Sequence, residues 1–188
     1  MGRLDWGKGA DIALDMFECL AQDAPDCEFY AYAYPWKNDP TSQALHYRLQ
    51  SHPTVTYIEA KLVDDLDTMD ANLRASIDAV DVFFLPYRAL LSTIDSPLVP
   101  MEVAARCKPF VTTDIEGLPS LPVKGGVFLP PDHAQDPARV AEALYGLIQA
   151  PDSSPDLSYS VSAVADVMCQ AIADAAPKTG PARSAKRI

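Results

Sequence analysis

Apolar residues along this chain alternate between two spacings. Over residues 8–22, Ile12, Ala13, Met16, Phe17 and Leu20 recur at helical intervals and share one face. Asp23 to Asp26, with Pro25, breaks that pattern. The run CEFYAYAY at 27–34 then reads as a strand, with Tyr30, Tyr32 and Tyr34 packing on one side and Tyr34 and Trp36 near a rim. A turn rich in Asn38, Asp39 and Pro40 leads into a helix over 42–51, a strand over 55–59 and a helix over 66–78. VDVFFL at 80–85 is apolar on both faces, as a buried parallel strand requires, and Pro86 ends it. Residues 87–96 read as loop. Ser96 and Pro97 make a cap and first position for a helix reaching Arg106. Strands are expected at 109–113 and 127–129, a helix at 137–149 and a last helix at 159–175. Strands separated by helices of this length imply right-handed crossovers and a parallel sheet, with ligands beyond its carboxyl edge. The expected fold is therefore α/β, a Rossmann-like parallel sheet flanked by helices. One domain is expected over 1–176, followed by a disordered basic tail over 177–188.

Composition narrows the function classes. A length of 188 residues, 48% apolar, suits one packed domain. No apolar run is long enough for a transmembrane helix, and the N-terminus lacks a signal-peptide layout. The net charge of −11 repels nucleic acid and anionic membranes, although a local cationic cluster can still hold one small anion. The cysteines, Cys19, Cys27, Cys107 and Cys169, form no C-x-x-C pair and read as small core residues in a reducing cytoplasm. His46, His52 and His133 lack metal spacing and read as surface or capping residues. The run of Asp64, Asp65, Asp67 and Asp70 reads as a solvated helix start. No metal or cofactor is expected.

Two segments carry candidate chemistry. GRLDWGKG at 2–9 places Arg3, Lys8 and Gly9 with two further glycines at a helix start. Orphan helix N–H groups, close backbone approach and two cations suit an anion; the same residues also suit an exposed turn. In LVPMEVAARCKPFVTTDIEGLP, at 98–119, a short helix feeds directly into a strand. Its Glu102 lies where the helix dipole favours a carboxylate, which is also consistent with a solvated side chain.

These segments, with DVFFLP at 81–86 between them and GVFLPPDHAQDPARVAEALYGLI at 126–148 after them, resemble the C-terminal domain of retaining GT-B glycosyltransferases, group 1 type. The resemblance lies in the order and separation of a G-R-L…K-G entry, a D-V-F-x-L-P strand, an E-x7-E helix start, a P-V-V-x-T-D-x-x-G-x-P strand and loop, and a closing amphipathic helix. It implies that Arg3 and Lys8, with Gly9 in the same loop, bind the diphosphate of a nucleotide-sugar donor, and that Glu102 contacts its ribose. The first Glu of the pair falls at Ile94, leaving Asp95, one residue away, as the only catalytic candidate. The family's following Gly falls at Pro97, which has no N–H to offer. The donor grip is thus kept better than the reaction centre.

In GT-B enzymes the acceptor binds a second domain, so the resemblance makes this chain a donor-binding half that works with an acceptor domain or subunit and is inactive alone. The alternative is a non-catalytic interaction domain that kept the half-fold. The resemblance also places a buried strand directly before the Gly2 loop. That strand is expected to be missing here and supplied by a longer transferase of which the chain is part; the alternatives are a gap filled by another chain, or strands at 27–34 and 80–85 that pair directly instead of standing two strand spacings apart.

Overall fold

The computed structural model describes residues 2–24, 26–60, 66–88, 98–115 and 125–149. They hold six strands and five α-helices: β1 (Gly2–Arg3), α1 (Ala10–Asp23), β2 (Phe29–Tyr34), α2 (Pro40–Gln50), β3 (Val55–Glu59), α3 (Leu66–Asp78), β4 (Phe83–Leu85), α4 (Leu98–Ala105), β5 (Phe110–Thr113), β6 (Gly126–Leu129) and α5 (Pro137–Gln149). A 3₁₀ turn at His133–Gln135 precedes α5. All strand pairings are parallel, and the strands form two sheets, ordered β1-β2-β3 and β4-β5-β6. The expected helix at 159–175, the tail at 177–188 and the boundary at 176 lie outside the described residues.

Local chemistry explains the elements. Pro40 occupies the first turn of α2, where a missing N–H costs nothing, and the Asp39 carboxylate caps it by accepting from Thr41 N–H at 2.9 Å. Helix α4 closes with Cys107 N–H donating to Ala104 O (2.9 Å) and Lys108 N–H to Val103 O (3.1 Å). This Schellman arrangement puts Cys107 at φ 57°, a position that favours glycine.

Three apolar clusters hold the layers. Leu14 of α1 and Leu45 and Leu49 of α2 cover Ala33 and Val55 of β2 and β3. Ile77 of α3 and Val103 of α4 pack with Leu85, Tyr87 and Phe110. Met16 and Leu20 of α1 meet Val140 of α5, with Phe84 and Leu129 against them. Successive side chains of β4 therefore face opposite layers: Phe83 and Leu85 toward α3 and α4, Phe84 toward α1 and α5.

Four expectations need correction. The strand before the Gly2 loop is not wholly absent, because Gly2 and Arg3 pair with Ala33 and Tyr34. Cys19 and Cys27 are exposed and Cys107 is half-buried, rather than in the core. Cys19 lies off the Met16–Leu20 stripe of α1, Cys27 lies in the turn before β2, and Cys169 is outside the described residues. The Tyr30 and Tyr32 side chains do not share the packed face of β2, which carries Phe29, Ala31 and Ala33; Tyr30 is exposed. His46 is buried instead of at the surface, its Nδ1 3.0 Å from the Tyr57 hydroxyl.

Candidate functional site

The loops after β1 and β4 meet at the carboxyl rim of the sheets. The first makes a tight turn in which Gly9 N–H donates to Trp6 O at 3.1 Å and Lys8 N–H to Asp5 Oδ1 at 2.8 Å. Asp5 is buried and takes up a main-chain donor that the turn would otherwise leave open. Gly9, at φ +66°, is the N-cap of α1 and supplies no side-chain hydrogen bond to the first turn. A Cβ there would stand 1.8 Å from the Pro86 carbonyl oxygen, so the absence of a side chain is what lets the start of α1 close onto the end of β4.

Arg88 sews the two loops together. Its backbone N–H donates to Gly7 O at 2.8 Å, its guanidinium holds both carboxylate oxygens of Asp11, and its Cζ lies 5.1 Å from the centroid of the Trp6 ring. Burial alone would raise the Asp11 pKa, but the Arg88 hydrogen bonds and charge outweigh it and hold the carboxyl below its usual value. The one acidic residue in the first turn of α1 is thereby neutralised.

Behind this clasp, Tyr87 is buried at 3% exposure. Burial, then the negative charges of Glu102 and Asp5, push its hydroxyl well above the usual tyrosine value. Glu102 sits half-buried midway along α4. Asp5, Tyr87 and Glu102 are thus electrostatic neighbours, with Lys8 joined to the group through Asp5. Thr113, at the carboxyl end of β5, adds a buried hydroxyl without a partner among the described residues.

The structure therefore gathers most of the candidates on one rim. Lys8 and Gly9 form the turn into α1, Arg3 ends β1 beside Tyr34, and Glu102 approaches the turn through Tyr87. Asp95, with Ile94 and Pro97, lies outside the described residues. Asp5, Tyr87 and Arg88 were missed in the sequence. Their signal was positional: each lies two or three residues past a strand end at the rim, where bound ligands of such sheets are met. Among the described residues no group of His, Cys, Asp and Glu is arranged to hold a metal ion, and no helix is long and apolar enough to cross a membrane.

Comparison with known proteins decides the family. The model of glycosyl transferases group 1 matches residues 1–150. The chain belongs to this family. No curated protein matches its sequence. Among solved structures, the sucrose-phosphate synthase of Thermosynechococcus elongatus matches with a TM-score of 0.65 at 19% identity, over 93% of this chain and 44% of that one. An α,α-trehalose-phosphate synthase (UDP-forming) of Burkholderia xenovorans, solved with glucose-6-phosphate, matches with 0.60 at 18%, over 90% and 38%. Its counterpart from Burkholderia vietnamiensis matches with 0.54 at 20%, over 94% and 44%. The glycosyltransferase chain thus shares their GT-B type of fold and spans less than half the length of each.

Proposed function

We propose that this glycosyltransferase domain is the donor-binding half of its enzyme, taking a nucleotide diphospho-sugar at the rim where α1 begins. The observation that carries the reading is the Gly2–Gly9 turn. It brings the α1 N-terminus to the carboxyl edge, leaves its first turn without a side-chain cap, presents Lys8 beside it and cancels the Asp11 charge with Arg88. A diphosphate is favoured at such a terminus by the helix dipole and the orphan N–H groups. Without Arg88, a carboxylate in that first turn would oppose it.

In this reading Arg3 and Lys8 hold the diphosphate, Gly9 lets the backbone approach, and Glu102 bonds the ribose. Tyr87, buried and neutral, fixes the distance between the Glu102 helix and the Asp5 turn. An acceptor-binding domain or subunit supplies the second half of the cleft. Two of the structural neighbours are UDP-forming synthases, which makes uridine nucleotides the first to try.

Isothermal titration of the chain with UDP, GDP and their sugars tests this. Replacing Arg3 and Lys8 together with Ala is expected to cost about 2–4 kcal/mol of binding, because each charge-assisted hydrogen bond contributes about 1.5–3 kcal/mol. Equal affinity in the double variant, or no binding of any nucleoside diphosphate, refutes the proposal.

A further inference from the structure

The chain has two tryptophans, and both stand at the carboxyl rim. Trp6 lies in the turn after β1 and Trp36 in the turn after β2. These strands are neighbours, with Arg3 opposite Tyr34, so the two turns leave the sheet side by side, about 4.8 Å apart at their roots. Both indoles are open to solvent, at 55% and 49% exposure. Neither ring belongs to any of the three apolar clusters.

The backbone under each ring is nevertheless fixed. Trp36 N–H donates to the hydroxyl of Ser42 at 2.8 Å, and that serine is fully buried. Trp36 O accepts from Asp39 N–H at 3.1 Å and from the Gln43 side-chain amide at 3.2 Å. Trp6 O accepts from Gly9 N–H at 3.1 Å and from the Arg88 guanidinium at 3.3 Å, and the same guanidinium lies against the Trp6 ring. An exposed ring held this way loses little further freedom when a ligand stacks on it, which suits a binding platform.

The surroundings select the ligand. Lys37 and Asn38, beside Trp36, are exposed, and their side chains have no partner among the described residues. Flat apolar rings set among hydrogen-bonding groups match a pyranose, whose C–H face is apolar and whose edge carries hydroxyls. A protein partner needs a continuous apolar centre within about 800 Å² of each surface, and Lys37 and Asn38 interrupt one here. In the donor reading the ribose lies toward Glu102 of α4, on the β4 side of the Gly2–Gly9 turn, which leaves the β2 side to a second substrate.

We propose that Trp6 and Trp36 form a stacking platform for a saccharide acceptor, with Lys37 and Asn38 bonding its hydroxyls. The role of the sugar as acceptor rests on the donor reading; the stacking itself does not.

Tryptophan emission tests it, because the chain has no other tryptophans. The 188-residue chain, without nucleotide, is titrated with maltotriose and with cellotriose. Mannitol, an open-chain polyol with no ring face, is the control. A saturable emission shift with at least one sugar, and none with mannitol, is expected. Trp36→Ala is expected to weaken sugar binding about ten-fold, and Trp36→Phe to restore most of it, both read by saturation-transfer NMR on the sugar protons so that losing the reporter does not matter. Should Trp36→Ala fail to fold, Lys37→Ala combined with Asn38→Ala, at two exposed positions, serves instead and is expected to weaken binding in the same assay. No saturable shift with either sugar, an equal shift with mannitol, or undiminished sugar binding in the alanine variants overturns the proposal. So does an emission shift that follows protein concentration and not sugar, which makes the rim a contact between copies of the chain. The donor reading fails separately, when no nucleoside diphosphate binds in calorimetry, and that result leaves the sugar titration as it is.

Discussion

Gly9→Ala separates backbone strain from steric closure. At φ +66°, an alanine pays about 1–2 kcal/mol for the left-handed conformation alone. Its Cβ would also lie 1.8 Å from the Pro86 oxygen and 2.9 Å from the Pro86 carbonyl carbon. No rotamer relieves a clash with backbone, so the end of β4 must shift, at about 1–3 kcal/mol. The expected loss is about 2–5 kcal/mol, a large share of the roughly 5–15 kcal/mol that stabilises an ordinary domain. Gly125→Ala supplies the comparison: φ is +77°, but the nearest atom is Pro109 Cα at 3.9 Å, so only the strain of about 1–2 kcal/mol applies. Gly146→Ala, within α5 and with nothing within 4 Å of the new Cβ, should gain about 0.5–1 kcal/mol. Thermal unfolding of the three variants is the assay. At about 2–4 °C per kcal/mol for a chain of this size, a loss of about 3 kcal/mol lowers the midpoint by roughly 6–12 °C. A Gly9→Ala loss no larger than that of Gly125→Ala refutes the claim that Pro86 closes onto α1.

Other outcomes follow from the same contacts. Asp11 has a lowered folded-state pKa, so its pairing with Arg88 contributes stability that is present above the usual carboxylate value near 3.8 and lost as pH falls through the lower folded value. Arg88→Met should cost about 1–2 kcal/mol at pH 7 and flatten the acid limb of a denaturation series below about pH 4; an unchanged limb sinks the assignment. Cys107→Gly removes a side chain from φ 57° and should raise stability by about 1 kcal/mol in urea titration, whereas a loss would mean that the thiol packs favourably. Phe110→Ala empties a fully buried position whose ring packs against Phe128 and the Gly126 face, and should cost about 3–5 kcal/mol by the same titration. In ultraviolet titration, Tyr57, pushed up to about 12 by burial and then by Glu59, should ionise near that pH, with Tyr87 later still.

Long periodic segments were legible in the sequence because their burial repeats locally. The strand at 55–59 and the helices at 66–78 and 137–149 match the structure to the residue. The strand at 80–85 was read long by three residues, since an apolar run does not say where pairing begins. β1 escaped because two residues carry no period, and their pairing is specified by Ala33 and Tyr34, thirty-one residues away in each case. At the candidate site, Lys8, Gly9 and Glu102 were singled out by spacing and resemblance. Gly9 carries a second, steric reason that depends on Pro86, which no local window contains. Tyr87 was read as loop because Pro86 ends the strand, yet it is core: its environment comes from α4 and the Asp5 turn, brought together only by the fold.

The division of the strands into β1-β2-β3 and β4-β5-β6 gives the chain a particular order of assembly. Each sheet is drawn from a contiguous stretch, so the first can collapse while the second is still being synthesised. The outward stripe of α1, Met16 and Leu20, gains its full cover only when Val140 of α5 joins Phe29, Phe84 and Leu129 there. Until then the nascent N-terminal half carries an apolar stripe that Phe29 and Phe84 cover only in part. That makes the interval between translation of α1 and of α5 the period when the protein is most open to aggregation and to capture by a chaperone.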